Sequence, residues 1–312
     1  MTMKMNNRDR DIVVAALKHA APYIRMFKRK TFVVKAGGEL FLSPANTHAL
    51  LEQISILYQV GVRVVLVHGA GPQSTQLAQD RGLVPRIVEG RRVTDKQTLE
   101  VMTEVNLEIG AQILDICKSI ELPAVAMGAS NPGPVLACKR PPAEIKGEGP
   151  IDFGFVGDIE TLDTNTVQAE LDQGNVPVIS ALSADAGGAL LNINADTVAA
   201  SLASALNAEK LMLATGTAGI LENLADPGSL ISYLDLAGLK KLQENGSLAD
   251  GMLPKAKAIE TAINGGVPRV HIISYSQPDS LLLEVFTNEG TGTLVVKSIE
   301  ALTDAEQATG VA

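Results

Sequence analysis

The sequence predicts an α/β fold in which helices cover both faces of a mainly parallel sheet. Short runs rich in Val, Ile and Leu recur along the chain, and longer segments with helical periodicity separate most of them. Strands that are apolar throughout are typical of a parallel sheet buried on both faces, because its crossover connections are usually helices. We therefore expect a three-layer αβα sandwich with a mainly parallel central sheet.

The first element is predicted to be an amphipathic helical arm over about residues 11–27. Its apolar residues recur at helical spacing, namely Val13, Leu17, Ala20 and Ile24. Pro22 should kink or split this helix, because proline removes a backbone donor and clashes with the preceding turn. The arm precedes the first strand, so its apolar face either folds back onto the body or packs on another subunit.

Seven segments after the arm are predicted to be strands, at residues 31–35, 63–68, 123–127, 177–182, 210–214, 270–274 and 293–296. Between residues 128 and 157 five prolines and several glycines interrupt the alternation of strands and helices. That segment is expected to form hairpins and a lid, and it is the nearest feature to a boundary between lobes.

Composition argues against several classes of function. The 312 residues are 46% apolar, which is enough for a full core in one domain or in two lobes sharing a sheet. The net charge of −9, the 3% aromatic content and the lack of Trp argue against a nucleic-acid partner, which needs basic patches or stacking platforms.

The cysteines and the hydropathy pattern indicate a reducing compartment. Cys117 and Cys138 are too few for a disulfide scaffold and have no spacing that suits zinc. No apolar run approaches the roughly 18 residues that cross a bilayer, and the first residues contain no apolar stretch typical of a signal peptide. We expect a cytoplasmic protein with no membrane partner.

Two glycine turns follow the first two predicted strands. Residues 35–38 read Lys-Ala-Gly-Gly, and residues 68–72 read His-Gly-Ala-Gly-Pro before a helix. Open α/β sheets bind ligands at the carboxyl ends of their strands, where helix N-termini offer N–H groups to anions. Glycine also ends many strands for structural reasons, but the pair, with a lysine in the first, predicts a phosphate site. Neither turn matches the P-loop or the dinucleotide fingerprint.

A third segment, residues 191–199, reads as a strand running into an alanine-rich helix. In one interpretation Asn194 caps the helix and Asp196 complements its dipole. In the other, the Asn side chains hold a ligand and the carboxylate orders nearby cations.

Basic residues near two other predicted helix starts have either a structural or a functional interpretation. Lys255 follows a turn in the first turn of a helix, where the dipole disfavours a cation, so either it is simply solvated or it has a function. Arg91 and Arg92 precede Thr94, a candidate helix cap. The pair is either a solvated basic patch or a bidentate grip on a carboxylate.

Taken in order, these segments resemble the amino acid kinase superfamily, and within it the acetylglutamate kinase family of arginine biosynthesis. The segments at residues 154–158 and 286–293 share the resemblance, which covers about residues 23–296. It implies phosphoryl transfer from ATP with Mg²⁺ to the side-chain carboxylate of N-acetyl-L-glutamate. Such a carboxylate is ionised at neutral pH and needs no general base, so fixed cations that relieve charge crowding would carry the catalysis.

The resemblance also implies a role for each matching residue. The catalytic group would be Lys35 and Lys255, which flank the transferring phosphoryl group, and Asp196, which organises them. The substrate would be held by Ala70, Gly71, Arg92, Asn192 and Asn194, and the nucleotide by Gly37, Gly38, Gly69, Thr215 and Gly216.

Feedback inhibition by L-arginine is a further implication of the resemblance. The matching positions are Tyr23, His271, Glu284 and Gly290. In arginine-inhibited members an N-terminal kinked helix links dimers into a hexamer, so a dimeric or hexameric homo-oligomer is expected. The implied domains are an arm at 1–28, a lobe for the acylated amino acid at 29–190, a lobe for ATP at 191–298 and a tail at 299–312.

Departures from the family pattern leave other functions open. Ala70 replaces the middle glycine of the second turn, and residues 215–219 read Thr-Gly-Thr-Ala-Gly, without the usual acid. Both changes resemble the kinase part of bifunctional acetylglutamate synthase-kinases. The alternatives are a non-catalytic arginine-sensing module that partners an acetylglutamate synthase, and a related amino acid kinase with another carboxylate or carbamate substrate.

Overall fold

A computed structural model describes residues 7–88, 91–128, 133–145, 149–223, 226, 228–248, 250–287 and 290–302. The α-helices in these ranges are α1 (Asn7–Phe27), α2 (Pro44–Gln59), α3 (Gly71–Asp80), α4 (Lys96–Ser119), α5 (Thr164–Asp172), α6 (Ala195–Ala205), α7 (Leu236–Glu244), α8 (Leu253–Asn264) and α9 (Ser280–Phe286). Short 3₁₀ turns lie at Gly38–Leu42, Asp250–Met252 and Ile299–Ala301.

The strands in the same ranges are β1 (Thr31–Ala36), β2 (Arg63–His68), β3 (Ile87–Val88), β4 (Arg91–Arg92), β5 (Ala124–Met127), β6 (Val135–Lys139), β7 (Ala143–Ile145), β8 (Gly149–Ile151), β9 (Gly157–Leu162), β10 (Val176–Ser180), β11 (Leu182–Ala184), β12 (Leu190–Asn192), β13 (Lys210–Thr215), β14 (Tyr233–Asp235), β15 (Arg269–Ser274) and β16 (Thr293–Val296).

Eight of these strands form the central sheet, in the order β14-β16-β15-β13-β1-β2-β10-β5. Neighbouring strands run parallel except at the β15–β16 pair, which is antiparallel. All seven predicted strands belong to this sheet, so the predicted α/β fold is confirmed. The predicted strand at 177–182 ends at Ser180 instead. β14 was not predicted, because three residues at a sheet edge carry little periodicity.

Helices cover both faces of the sheet, and strand alternation determines which residue meets which layer. On β1, Phe32 and Val34 pack in a core that includes α2, α4 and α9, whereas Val33 packs in a core that includes α6 and α8. By the same alternation Lys35 lies on the α6 and α8 face. The three-layer architecture is therefore confirmed.

Side chains cap several helices near the ligand-binding edge of the sheet. Asn194 Oδ1 accepts a hydrogen bond from Thr197 N at 3.0 Å, so the predicted cap of α6 is confirmed. The predicted cap at Thr94 is wrong: Asp95 Oδ1 accepts from Thr98 N at 2.7 Å and begins α4. Thr94 is instead fully buried, and its backbone bonds to the segment around Gly154.

The N-terminal helix α1 is one continuous element with Pro22 inside it, so the proline does not split it. Its C-terminal end packs on the body, where Phe27 is buried and Tyr23 contacts the same core. The first half exposes a group of large apolar side chains, Ile12, Val13, Val14 and Leu17. The arm thus folds back at one end and leaves an apolar surface at the other.

The proline-rich segment forms two antiparallel ribbons, as predicted. β6 pairs with β9, and β7 pairs with β8. Residues 129–132 and 146–148, which belong to the predicted hairpin and lid segment, lie outside the described residues. In the described part of the chain, no helix has both the length and the apolar character that crossing a membrane requires.

One buried histidine at the end of β2 makes stability depend on pH. His68 is 1% exposed, and its Nδ1 atom has no hydrogen-bond partner among the residues that the structure describes. Burial lowers its pKa from 6.5 to about 4, and a hydrogen bond involving the backbone of Gly69 opposes that shift only in part. His68 is therefore neutral in the folded protein at neutral pH.

We expect His68→Gln to remove an acid-dependent loss of stability. The unfolded chain protonates His68 near pH 6.5 and the folded chain only near 4, so folding becomes less favourable as the pH falls between these values. Urea unfolding at about pH 7 and about pH 5 should show a free-energy loss in the wild type that exceeds that of the variant by about 2 kcal/mol.

The exposed His48 provides the control, since His48→Gln should retain the wild-type pH dependence. Equal pH dependence in the wild type and in His68→Gln would contradict the neutral buried state.

Candidate functional site

A cleft of about 510 Å³ opens at the carboxyl ends of β1 and β2. The N-termini of α3, α6 and α8 also line it. Its volume lies within the range typical of small-molecule sites. The lining contains five basic residues, Lys35, Arg91, Arg92, Arg140 and Lys255, and two acidic ones, Glu39 and Asp196. The excess of positive charge suits an anionic ligand.

A buried charge cluster forms the floor of the cleft. Lys35 Nζ lies 2.8 Å from Asp196 Oδ1, and Lys255 Nζ lies 3.7 Å from Asp196 Oδ2. The side chains of Lys35 and Asp196 are 7% and 6% exposed, and that of Lys255 is 19% exposed. One carboxylate therefore separates two ammonium groups and leaves the cluster with a net positive charge.

Local structure explains why these three residues meet. Lys35 is the penultimate residue of β1 on the α6 face, Asp196 lies in the first turn of α6, and Lys255 lies in the first turn of α8. Burial opposes the charged form of Asp196, but the charges and hydrogen bonds of the two lysines together outweigh it and lower its pKa. Asp196 therefore stays ionised and does not act as a proton acceptor at neutral pH.

The two predicted glycine turns pack against each other beside this cluster. A Cβ on Gly38 would lie 2.9 Å from Gly71 N and 2.8 Å from Pro72 Cδ, so only glycine permits this approach. Gln73 Nε2 donates to Gly38 O at 2.7 Å and ties the turns together. Gly37, Gly69 and Ala70 also line the cleft.

Two helices that open on the cleft have no side-chain cap. The N-cap residues of α3 and α8, Ala70 and Met252, make no capping hydrogen bond. Uncapped helix N-termini carry partial positive charge and attract anions. Together with the charge cluster, they form a surface that can hold a phosphate chain and the charge that develops when a phosphoryl group moves.

Amide and guanidinium groups also line the cleft. Arg92 Nη2 donates to Gly71 O at 3.2 Å and to Thr75 Oγ1 at 2.6 Å, while its buried Nη1 has no partner in the ranges that the structure describes. Burial lowers the pKa of Arg92, but a guanidinium remains charged at neutral pH. Asn192 Nδ2 is 3.4 Å from Thr94 Oγ1 and lines the cleft with Asn194.

Thr215 and Gly216 do not line this cleft. They lie at the carboxyl end of β13, the strand beside β1, where Thr215 Oγ1 donates to Thr217 O at 2.9 Å. A Cβ on Gly216 would be 3.0 Å from Tyr275 Oη. Their assignment to the nucleotide stays a prediction.

Arg140 and Asn106 are among the cleft residues that were not singled out from the sequence. Arg140 follows β6 in the proline-rich segment, where nothing in the sequence distinguishes it from a solvated arginine. Asn106 does carry a signal: it lies among Met102, Val105 and Ile109 on the buried face of α4, and an amide on an apolar helix face needs a polar partner.

A second polar cluster joins the sheet to α9, away from the cleft. His271 Nδ1 is 2.8 Å from Glu284 Oε2, and His271 Nε2 is 2.9 Å from Lys210 Nζ. An ammonium can only donate, so Nε2 accepts and the imidazole proton lies on Nδ1, facing the carboxylate. Burial and then the charge of Lys210 lower the pKa of His271, which is therefore neutral.

The residues predicted to bind arginine surround this second cluster. Glu284 Oε1 accepts from Thr291 N and Gly292 N, both at 2.7 Å, and a Cβ on Gly290 would lie 3.0 Å from the same oxygen. Lys210 Nζ lies 5.2 Å from the ring centroid of Phe27 at the end of α1. The helix that carries Tyr23 is thus linked to His271 and Glu284.

The described residues contain no group of three or more His, Cys, Asp or Glu side chains that could hold a metal ion. Both Asp196 oxygens lie beside lysines. A divalent cation at this site would have to bind through ligand phosphates and water, which is the environment that Mg²⁺ prefers.

The fold and the cleft define a class of protein: a three-layer α/β protein with a predominantly basic cleft at the carboxyl ends of parallel strands. The model of the amino acid kinase family matches residues 30–274. The chain belongs to the amino acid kinase family.

Individual relatives narrow the comparison. The acetylglutamate kinase of Myxococcus xanthus is 43% identical over 289 residues, which cover 91% of this chain and 94% of that protein. An N-acetylglutamate synthase from Neisseria gonorrhoeae, solved with coenzyme A and N-acetyl-glutamate, has a TM-score of 0.81 at 31% identity. That match covers 91% of this chain and 63% of the synthase. The same synthase with coenzyme A and L-arginine has a TM-score of 0.80 at 31% identity, covering 91% and 65%.

Proposed function

We propose that this protein is an acetylglutamate kinase, which transfers the γ-phosphoryl group of ATP to the side-chain carboxylate of N-acetyl-L-glutamate. The observation that carries the proposal is the cluster of Lys35, Asp196 and Lys255 beside two packed glycine turns. The Myxococcus xanthus relative of the same family supports the choice of substrate.

The cluster supports electrostatic catalysis. Charge crowds between the anionic donor and the anionic acceptor during in-line transfer, and fixed cations relieve it. Lys35 and Lys255 would flank the transferring group, while Asp196 holds both ammonium groups in place without taking up a proton. The acceptor carboxylate is already ionised and needs no general base.

The acceptor and the nucleotide have different partners in this proposal. Arg92 would bind the α-carboxylate, because its guanidinium is charged and its Nη1 is buried without a partner. Asn192, Asn194 and the turn at Ala70 and Gly71 would hold the rest of the acceptor. Gly37, Gly38 and Gly69 would contact the phosphates, with Thr215 and Gly216 further along the nucleotide.

Mg²⁺ is expected to accompany ATP, bound by phosphate oxygens and water, where it neutralises phosphate charge. The proposed lobes are residues 29–190 for the acylated amino acid and 191–298 for ATP. An ATP-dependent biosynthetic enzyme of this kind is expected to act in the cytoplasm.

Lys255→Ala should lower kcat for N-acetyl-L-glutamate with Mg-ATP by roughly a hundredfold or more, because it removes one of two cations at the reacting group. Release of ADP from the purified protein measures this rate. Lys257→Ala, an exposed lysine on the same helix, should leave the rate unchanged. Free L-glutamate should be a poor acceptor.

Absence of turnover in the wild type with N-acetyl-L-glutamate would overturn the kinase proposal. If arginine then raised the melting temperature of the protein, the arginine-sensing module would replace the kinase as the proposed function. The likeness to the Neisseria synthase solved with L-arginine favours this alternative. Turnover with another carboxylate or with carbamate alone would identify a related amino acid kinase.

We further propose that L-arginine inhibits this activity by binding beside His271 and Glu284. Glu284 is buried and anionic, and its pKa is lowered: burial opposes the shift, but hydrogen bonds with His271, Gly292 and Thr291 outweigh it. A buried carboxylate next to the backbone at Gly290 and the end of α1 is suited to a guanidinium or ammonium group. The Neisseria synthase structure with L-arginine supports the choice of effector.

Glu284→Gln should raise the arginine concentration for half-inhibition by about tenfold, since a neutral amide replaces a charge-assisted partner. Inhibition curves of ADP release measure this change. Glu244→Gln, an exposed carboxylate on α7, should leave the curve unchanged. A wild-type enzyme that is indifferent to arginine would contradict the proposal.

We also propose that a second copy of this chain covers the apolar surface of α1, giving a dimer or hexamer. Four large apolar side chains on one short stretch of helix, Ile12, Val13, Val14 and Leu17, are exposed in the single chain. Contiguous apolar patches of this kind are typical of association surfaces.

Leu17→Glu should lower the mass in solution measured by light scattering, because it places a charge in the proposed contact. Lys18→Glu, an exposed neighbour outside the apolar group, should retain the wild-type mass. The same mass for the wild type and Leu17→Glu would exclude a linking role for the arm.

A further inference from the structure

Arg140 presents a spare donor in the cleft that none of the roles above uses. Its Nε donates to Asp158 Oδ2 at 3.1 Å, and its Nη2 donates to Asp158 Oδ1. Its Nη1 is buried and has no partner among the described residues, and Arg140 lines the cleft near Val156 and Asn192. The carboxylate of Asp158 holds the guanidinium in one orientation, and Nη1 remains available to a ligand.

Asn106 presents a spare acceptor in the same cleft. It is 3% exposed, and its Nδ2 donates to Met102 O at 2.8 Å. A carbonyl oxygen only accepts, so this bond determines which amide atom is the nitrogen. The other amide atom is therefore Oδ1, which is buried, belongs to a residue that lines the cleft, and has no partner in the described part of the chain.

Arg92 and Arg140 both line the cleft, but only one of them has its charge compensated by a carboxylate. Within the described residues Arg92 bonds to Gly71 O and Thr75 Oγ1 and has no carboxylate partner, so it keeps its full charge. Arg140 is paired with Asp158, so the pair is nearly neutral. A free guanidinium suits a carboxylate, whereas a compensated one suits a neutral acceptor such as a carbonyl oxygen.

We propose that Asn106 and Arg140 recognise the amide of the acyl group: Asn106 Oδ1 accepts from the amide N–H, and Arg140 Nη1 donates to the acyl carbonyl oxygen. This inference rests on the proposed acetylglutamate kinase function and identifies what distinguishes the acylated substrate from the free amino acid. A secondary amide offers one donor and one acceptor, which matches the two unpaired buried atoms. Sites built on such hydrogen bonds discriminate strongly against ligands that lack the matching group.

Binding by calorimetry to three dicarboxylates tests the proposal: N-acetyl-L-glutamate, its 2-acetoxy ester analogue, which has oxygen in place of the N–H, and glutarate, which lacks the acyl group. Asn106→Leu should weaken the binding of N-acetyl-L-glutamate about tenfold and leave the binding of the ester unchanged, because only the amide donates a hydrogen bond. Arg140→Met should weaken both acylated ligands about tenfold. Neither variant should alter glutarate binding.

Lys139→Met is the matched control for Arg140→Met, since Lys139 is the preceding residue, is exposed, and pairs only with the exposed Asp152 in the described region. It should bind all three ligands as the wild type does. Thermal unfolding of each variant separates a folding defect from a lost contact, and the unchanged glutarate affinity is a second check on the fold.

If a variant lost as much affinity for glutarate as for N-acetyl-L-glutamate, the proposal would be overturned. It would also be overturned if neither variant lost affinity for N-acetyl-L-glutamate. Tighter wild-type binding of N-succinyl-L-glutamate that disappears in Arg140→Met would also overturn it, because Arg140 would then bind a second carboxylate. Wild-type protein that binds the amide as expected but transfers no phosphoryl group would refute the kinase function and leave the amide recognition intact.

Discussion

The arrangement of the cleft depends on the buried ion pair between Lys35 and Asp196. It connects the end of the central strand β1 to the first turn of α6, and Lys255 joins it from α8. Removing one member of such a pair leaves an uncompensated buried charge, which is far more costly than the pair itself is stabilising. The three elements are therefore constrained to meet at one edge of the sheet, and the glycine turns and uncapped helix ends are gathered around that point.

The cleft contains two kinds of binding surface. On the side of Lys35 and Lys255 the positive charge is concentrated and desolvated, which suits phosphate and the charge that moves with it. Arg92, Asn106 and Arg140 line the same cleft with directional donors and acceptors, which suit recognition of a small polar molecule. The chain carries a net charge of −9, yet the cleft contains more basic than acidic residues, so the positive potential is local.

Prediction from the sequence succeeded for elements in which apolar residues follow a regular pattern along the chain. The buried strands were found because a parallel sheet covered on both faces requires continuous apolar runs. Capping by Asn194 was one of two interpretations of its segment, and it is confirmed because Asn is a favoured residue directly before a helix. Prediction failed for β14, whose three residues have no measurable period, and for the start of α4, where Thr94 was named as the cap and the neighbouring Asp95 caps the helix instead. Arg140 was missed because it pairs with Asp158 across the β6–β9 ribbon, whose register shifts at a bulge and does not follow from the sequence.

The sequence by itself determined the α/β class, the strands, the glycine turns and the candidate ligand groups, because each depends on local periodicity or on residue chemistry. Only the tertiary structure decided which of these groups meet. Lys35, Asp196 and Lys255 are far apart in the chain, and their contact follows from strand order and from the face on which each side chain lies. The spare atoms of Asn106 and Arg140 were likewise decided by packing, since a buried polar atom is known to lack a partner only when all its neighbours are placed.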